Sequence, residues 1–320
     1  MLRSMNDYHT IEQIYSQPLE DLIQQALQAK KAFGKNDLQF CQLLNIKSGG
    51  CSEDCKYCAQ SAHYRTAIEK SSLLDEEAVF EAGKKAKENG ATRFCLGAAW
   101  KGLSHEELKT KQICKIISKI SSLGLELCLS LGFLTEKAAL MLKESGLSVY
   151  NHNLNTGPNY YPKIATTHSF QERLQTIEIV QKVGLKLCSG GIIGMGESLK
   201  DRLEMLYYLK TLPEPPESVP INVYMPIKGT PLYAQSNFSY IDLVRIIATA
   251  RILFPTSRIR LAAGRKLLDE SIQTLCYIAG VNSIFIGEKL LTQNNVQLET
   301  DLAWLKRLNL QKEGYIRLYS

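Results

Sequence analysis

Residues 92–131, TRFCLGAAWKGLSHEELKTKQICKIISKISSLGLELCLSL, decide the fold class. An apolar run, 92–98, is followed by an amphipathic helical stretch, 105–122. Leu123-Gly124 then marks a helix end, because glycine is the residue best suited to the left-handed turn after a helix. A second apolar run, 125–131, begins at once. Strand, helix and strand in that order form one βα repeat.

The same alternation extends both ways. Further strand-like runs lie at 41–47, 147–154, 185–192, 218–224, 258–263 and 282–287. Helical stretches at 75–89, 135–145, 169–183, 199–210, 240–254 and 265–279 fall between them, several closed by glycine, as at Asn89-Gly90 and Ser145-Gly146. Eight such units predict an α/β fold, a (β/α)8 TIM-type barrel over residues 40–300. A doubly wound sheet is the alternative, which periodicity alone does not separate. Residues 1–39 read as an N-terminal helical extension with a helix over 11–33. Residues 301–320 read as a short C-terminal extension, a last helix or a loose tail. No low-complexity linker divides the chain, so one domain is expected.

Alternation along the strands gives them two faces. Phe94, Leu96, Leu127, Leu129, Val219, Ile221, Ile259, Leu261, Ile284 and Ile286 form an apolar face for the helices. The opposite face carries Arg93, Cys95, Cys128, Ser130, Asn151, Asn153, Asn155, Ser218, Asn222, Arg258, Arg260 and Ser283. A barrel interior packed only for stability carries Val, Ile and Leu. Buried polar groups need partners, so this interior predicts a bound ligand or cofactor.

Bulk properties exclude several classes. No apolar run reaches about 18 residues, so no membrane-spanning helix is expected. The N-terminus lacks the apolar stretch of a signal peptide, which predicts a cytoplasmic protein. The net charge of +6 is spread along the chain and does not argue for nucleic acid. The nine cysteines are odd in number, and three crowd into one short segment, so metal-binding thiols are favoured over a disulfide framework.

That segment is Cys51-Ser-Glu-Asp-Cys55-Lys-Tyr-Cys58, directly after the first strand. In a barrel it lies at the C-terminal face, where active sites sit. Three thiolates can hold three irons of a 4Fe–4S cube and leave the fourth without a protein ligand. A zinc site lacking one ligand is the alternative. His63 is poorly placed to complete it. The triad resembles the hallmark of the radical S-adenosylmethionine (SAM) superfamily. That resemblance implies an open iron that binds the amine and carboxylate of SAM, and a 5′-deoxyadenosyl radical. Tyr57 matches the aromatic position that contacts adenine.

Seven segments narrow the likeness: 49–61 GGCSEDCKYCAQS, 92–100 TRFCLGAAW, 126–132 ELCLSLG, 150–156 YNHNLNT, 188–197 CSGGIIGMGE, 219–232 VPINVYMPIKGTPL and 258–266 RIRLAAGRK. In order and spacing they resemble the biotin synthase family over about residues 10–310. The resemblance implies sulfur insertion into dethiobiotin, with Cys51, Cys55, Cys58 and Arg260 in the catalytic machinery. It implies a second, 2Fe–2S cluster as sulfur donor, held by Cys95, Cys128, Cys188 and Arg260. Taken alone, each of these cysteines reads equally as a small buried hydrophobe. The resemblance further places Asn153 and Asn222 at SAM or dethiobiotin, Arg173 near the SAM carboxylate, and Thr292 near the substrate carboxylate. On sequence alone Arg173 is a charge on a helix surface, and a strand asparagine is a satisfied structural hydrogen bond. Gly190-Gly191 is expected to let the backbone approach the methionine moiety of SAM. A flavodoxin-type electron donor and a homodimer are implied in the same way.

Two positions depart from the family pattern. Asn155 stands where the family carries the aspartate that binds the SAM ribose, which predicts weaker SAM binding. Cys41 stands where a serine is expected near Arg260; it is a substitution of similar size or an extra thiol beside the donor cluster. Cys114 and Cys276 read as packing residues, and His152, of opposite parity to Asn151 and Asn153, is expected to face away from the lumen. The competing functions are another radical SAM enzyme and a non-catalytic iron–sulfur protein.

Overall fold

The computed structural model describes residues 7–32, 37–104, 106–234 and 238–314. Residues 1–6 of the N-terminus, Phe33, His105 and residues 315–320 of the expected tail lie outside the described residues. Two helices come first, α1 (Tyr8–Ser16) and α2 (Leu19–Ala32). The single helix expected over 11–33 is broken because Pro18 has no amide hydrogen and cannot sit inside a helix.

The barrel follows as β1 (Gln39–Lys47), α3 (Glu76–Glu88), β2 (Arg93–Ala98), α4 (Glu107–Ser121), β3 (Glu126–Ser130), α5 (Glu136–Glu144) and β4 (Val149–Asn151). Next come α6 (Tyr161–Ile164), α7 (Phe170–Lys182), β5 (Lys186–Cys188), β6 (Gly191–Ile193), α8 (Leu199–Lys210) and β7 (Ser218–Val223). The chain ends through α9 (Tyr240–Leu253), β8 (Arg258–Leu261), α10 (Glu270–Ile278), β9 (Ser283–Ile286), a hairpin of β10 (Lys289–Leu290) and β11 (Gln293–Asn294), and α11 (Leu298–Arg307).

All barrel strands are parallel, in the order β5-β4-β3-β2-β1-β9-β8-β7-β6. The pairing Cys188↔Ser218 joins β5 to β7 and closes the ring. The doubly wound alternative is therefore excluded. The expected fifth strand, 185–192, is split into β5 and β6 around Ser189-Gly190. There the backbone presses on β7, so that a Cβ on Gly190 would lie 2.0 Å from the Pro220 carbonyl oxygen.

Local chemistry starts the helices where the site needs them. Ser169 caps α7 and Ser198 caps α8, each in a reciprocal capping box, with Glu172 and Asp201. At the other end, Gly124 (φ +70°) follows α4 in the left-handed turn expected of it.

The N-terminal end of the barrel is sealed. Arg93, fully buried, donates to Glu126 (2.8 Å) and Ser218 (3.0 Å) and pairs with Glu217 at 2.7 Å. The segment after α11 runs alongside, with Leu38 N–H bonded to the Gln311 carbonyl at 3.1 Å. On the helical layer, Asp301 of α11 holds the buried Arg265 through bonds of 2.6 and 2.7 Å.

Lys30 of α2 is buried between the N-terminal helices and α10. It donates to the Tyr277 (3.2 Å) and Val281 (2.9 Å) carbonyls. Burial, and then Arg251, push its pKa down to about 7. Between that value and the ordinary 10.5, the unfolded chain holds a proton that the folded chain does not, so stability rises with pH across this window. Urea titrations at several pH values should show wild type gaining on Lys30→Met as the pH climbs. Parallel curves would remove the argument.

Candidate active site

The polar faces of the strands meet in the lumen as anticipated. Cys95, Cys128, Ser130, Asn151, Asn153, Asn155, Asn222 and Arg260 border two cavities, an inner one of about 200 Å³ and an outer one of about 340 Å³, while Arg93, Ser218, Arg258 and Ser283 of the expected set lie outside both linings. The two share walls at Gln60, Ser130, Asn151, Asn153 and Asn222.

The inner cavity is bordered by Cys95, Cys128, Cys188 and Arg260. Parallel register places Cys95 beside Cys128, and closure of the ring brings in Cys188. A hydrogen bond from the Cys128 thiol, with Arg260 and Arg93 nearby, draws the Cys188 pKa down to about 5 despite burial. Bonding to Cys188 and Cys95, with burial, holds the Cys128 thiol protonated. Arg260 is 1% exposed and donates to Ser283 Oγ (2.9 Å) and Gln39 Oε1 (3.3 Å), while its Nη1 lies 3.6 Å from Cys188 Sγ. A guanidinium here requires an electron-rich neighbour. Three thiols and one cation around a cavity fit a sulfide-bridged cluster.

Cys41 packs against this thiol group but does not border the cavity. It pairs with Arg93 in register, and Leu43 is the residue paired with Cys95. Its Sγ lies 3.4 Å from Gln39 Oε1 and 3.5 Å from Ser283 Oγ, the two groups that also hold Arg260. The geometry therefore suits a packing role in the layer beneath.

The triad loop forms the wall of the outer cavity through Cys51, Tyr57 and Cys58. Its own backbone folds it, with Cys58 N–H bonded to the Cys55 carbonyl at 2.9 Å and Ala62 N–H to the Cys51 carbonyl at 2.7 Å. Burial, then the neighbouring Cys55, push the Cys58 thiol up to about 12. A bound metal would supply the positive charge that ionises thiols held up in this way. His63 is exposed and bonds the Ser52 carbonyl (2.9 Å), so it does not complete a zinc site. Cys114 contacts the Met141 carbonyl and Cys276 is buried in α10.

The remaining predicted residues gather opposite the loop. Asn155, in the left-handed region (φ +71°), donates to the Tyr57 hydroxyl at 2.8 Å. Asn222 spends both polar atoms on backbone, donating to Gly191 O (3.0 Å) and accepting from Ala263 N–H (3.1 Å). Asn153 accepts from Gly190 N–H (3.2 Å) and Asn151 (3.1 Å). Arg173 is not a surface charge: it borders the outer cavity and bonds Asn153 O (3.0 Å), His168 Nε2 (3.2 Å) and the Tyr161 hydroxyl. Thr292, between β10 and β11, borders the same cavity.

One expectation needs correction. His152 borders the outer cavity, buried with its ring against Phe133 (5.2 Å) and no partner for Nε2. Parity failed because β4 ends at Asn151, and alternation ends with it. Gly190 and Gly191 are also required by the barrel's own packing, because a Cβ on Gly191 would lie 2.0 Å from Met205 Sδ.

Sequence reasoning missed Glu53, Asp54 and His168. Asp54 accepts from the Thr166 (2.8 Å) and Thr167 (3.1 Å) amides, tying the triad loop to the segment before α7. Burial opposes its ionisation, but bonds from Thr166 and Thr167 hold its carboxyl well below the usual range. Two carboxylates inside the cysteine motif were the available signal.

The radical SAM superfamily model matches residues 45–209, and the biotin and thiamin synthesis associated domain model matches residues 220–311. A biotin synthase of Methylacidiphilum infernorum is 76% identical over 309 residues, covering 97% of this chain and 99% of that protein. A biotin synthase of Lawsonia intracellularis is 50% identical, covering 94% and 95%. Among solved structures, methylornithine synthase superposes with a TM-score of 0.80 at 18% identity, covering 96% of this chain and 94% of that one, a likeness of fold alone. Among the described residues no helix is long and apolar enough to cross a membrane. Likeness at this identity over nearly the whole length, with both models matching, shows that the chain belongs to the biotin synthase family within the radical SAM superfamily.

Proposed function

We propose that this chain converts dethiobiotin to biotin by radical sulfur insertion in the barrel lumen. The observation that carries the reading is the pair of adjoining cavities, one at the triad and one at three thiols and an arginine. When bound, a 4Fe–4S cluster with SAM supplies a 5′-deoxyadenosyl radical, and a 2Fe–2S cluster supplies the sulfur.

Cys51, Cys55 and Cys58 would hold the first cluster. Cys95, Cys128, Cys188 and Arg260 would hold the second. Tyr57 would contact the adenine, Asn155 would bond the ribose hydroxyls, and Arg173 would receive the SAM carboxylate. Asn153 and Asn222 form the shared wall where dethiobiotin sits between the clusters, and Thr292 receives its carboxylate. The hairpin of β10 and β11 and the sealed floor keep water from the reacting carbons. The protein works as one domain, a cytoplasmic homodimer reduced by a flavodoxin-type donor, without nucleic acid or membrane partners; the family resemblance supports the donor and the dimer, and the spread of charge argues against nucleic acid.

Anaerobic incubation with dethiobiotin, SAM and a reductant should yield biotin and 5′-deoxyadenosine. Deoxyadenosine without biotin would favour another radical SAM enzyme, and neither product would favour a non-catalytic iron–sulfur protein. Asn155→Asp should tighten SAM binding about fivefold, the difference between a neutral and a charge-assisted hydrogen bond to the ribose. Unchanged affinity in equilibrium dialysis would remove Asn155 from the ribose.

A further inference from the structure

Glu53, inside the cysteine motif, lies 115 positions from His168, yet the two side chains meet in the closed structure. The His168 side chain is fully buried and that of Glu53 nearly so (0% and 7% exposed). His168 Nδ1 is hydrogen-bonded to Glu53 Oε2, and Thr167 Oγ1 donates to the same oxygen at 2.8 Å. The other ring nitrogen, Nε2, lies 3.2 Å from Arg173 Nη2. An arginine can only donate, so Nε2 accepts and the proton sits on Nδ1. Burial, then Arg173, lower the His168 pKa, which agrees with a neutral ring.

Arg173 is held through all three of its nitrogens. Its Nε donates to the Tyr161 hydroxyl, Nη1 to the Asn153 carbonyl (3.0 Å) and Nη2 to His168. The Phe133 and Tyr161 rings each lie 5.8 Å from the guanidinium carbon. Three of five N–H groups are committed. One hydrogen remains on each terminal nitrogen for a ligand carboxylate.

We propose that His168 is a positioning residue, joining the triad loop through Glu53 to Arg173, so that the metal-binding loop and the carboxylate-binding guanidinium form one rigid unit. The inference rests on the reading that Arg173 receives the SAM carboxylate. Its physical content is preorganisation: a guanidinium already oriented loses little freedom when the ligand arrives.

The test measures binding of SAM and of decarboxylated SAM to the anaerobically reconstituted protein. His168→Phe fills the space without either hydrogen bond. It should weaken SAM binding about tenfold and leave the decarboxylated ligand unchanged. His168→Gln, whose amide donates to Glu53 and accepts from Arg173, should restore most of the loss. If His168→Phe does not fold, His168→Asn, too short to reach both partners, takes its place. Equal weakening of both ligands, or of neither, overturns the role of His168. A wild type that binds both ligands alike overturns the Arg173 reading and this inference with it. A wild type that prefers SAM, with a His168→Phe variant that keeps the preference, overturns the inference alone.

Discussion

Cys188→Ala should abolish biotin formation while SAM is still cleaved to 5′-deoxyadenosine, and Cys55→Ala should abolish both. The two thiols belong to different sets. Cys55 lies in the triad loop, with Cys51 and Cys58 at the outer cavity. Cys188 lies at the end of β5, 3.6 Å from Arg260, at the inner cavity. Removing one of only three thiolates leaves a cube with too few ligands, so iron and deoxyadenosine should both fall to background for Cys55→Ala. For Cys188→Ala the triad is untouched, and only the iron and sulfide assigned to the donor cluster should be lost. Iron analysis, Mössbauer spectra and product assays on both variants decide the matter. Biotin from Cys188→Ala beyond a trace would end the assignment of the inner thiols to sulfur donation.

Arg93→Ala should destabilise the fold by about 3 kcal/mol, the low end for removing one partner of a buried ion pair. The Arg93 side chain is 0% exposed and faces Glu126 and Glu217, which are 25% and 21% exposed. Burial resists ionisation of Glu217, yet Arg93 holds its pKa down, so the variant strands a charge that the fold was built to neutralise. Some water reaches both carboxylates, which limits the loss. Urea unfolding of Arg93→Ala and Glu217→Gln should show the larger midpoint drop for the arginine variant. A drop below about 1 kcal/mol would mean that the carboxylates solvate freely.

The barrel was legible because its signals are local. Alternating apolar runs, glycine stops and a cysteine triad after the first strand need no knowledge of distant contacts. The inward set of Cys95, Cys128, Asn151 and Arg260 followed from strand parity, which holds within regular strands. It failed for His152, one residue beyond the end of β4. What stayed hidden depends on partners far along the chain. Gly190 is small because Pro220 approaches it, and Cys41 sits in the lower layer because of its register with Arg93. The Glu53–His168 contact required closure of the ring. A lone histidine before a helix carries no mark of it.

The sealed floor has a kinetic corollary. Arg93, Glu126 and Glu217 lie across one end, and at the other the inner chamber adjoins the outer one through shared walls. On the proposed assignment of SAM to the outer chamber, dethiobiotin is seated before the nucleoside sulfonium covers it and leaves after that cover is gone. Turnover should follow a compulsory sequence of arrivals and departures, with a dead-end SAM analogue trapping labelled dethiobiotin against exchange.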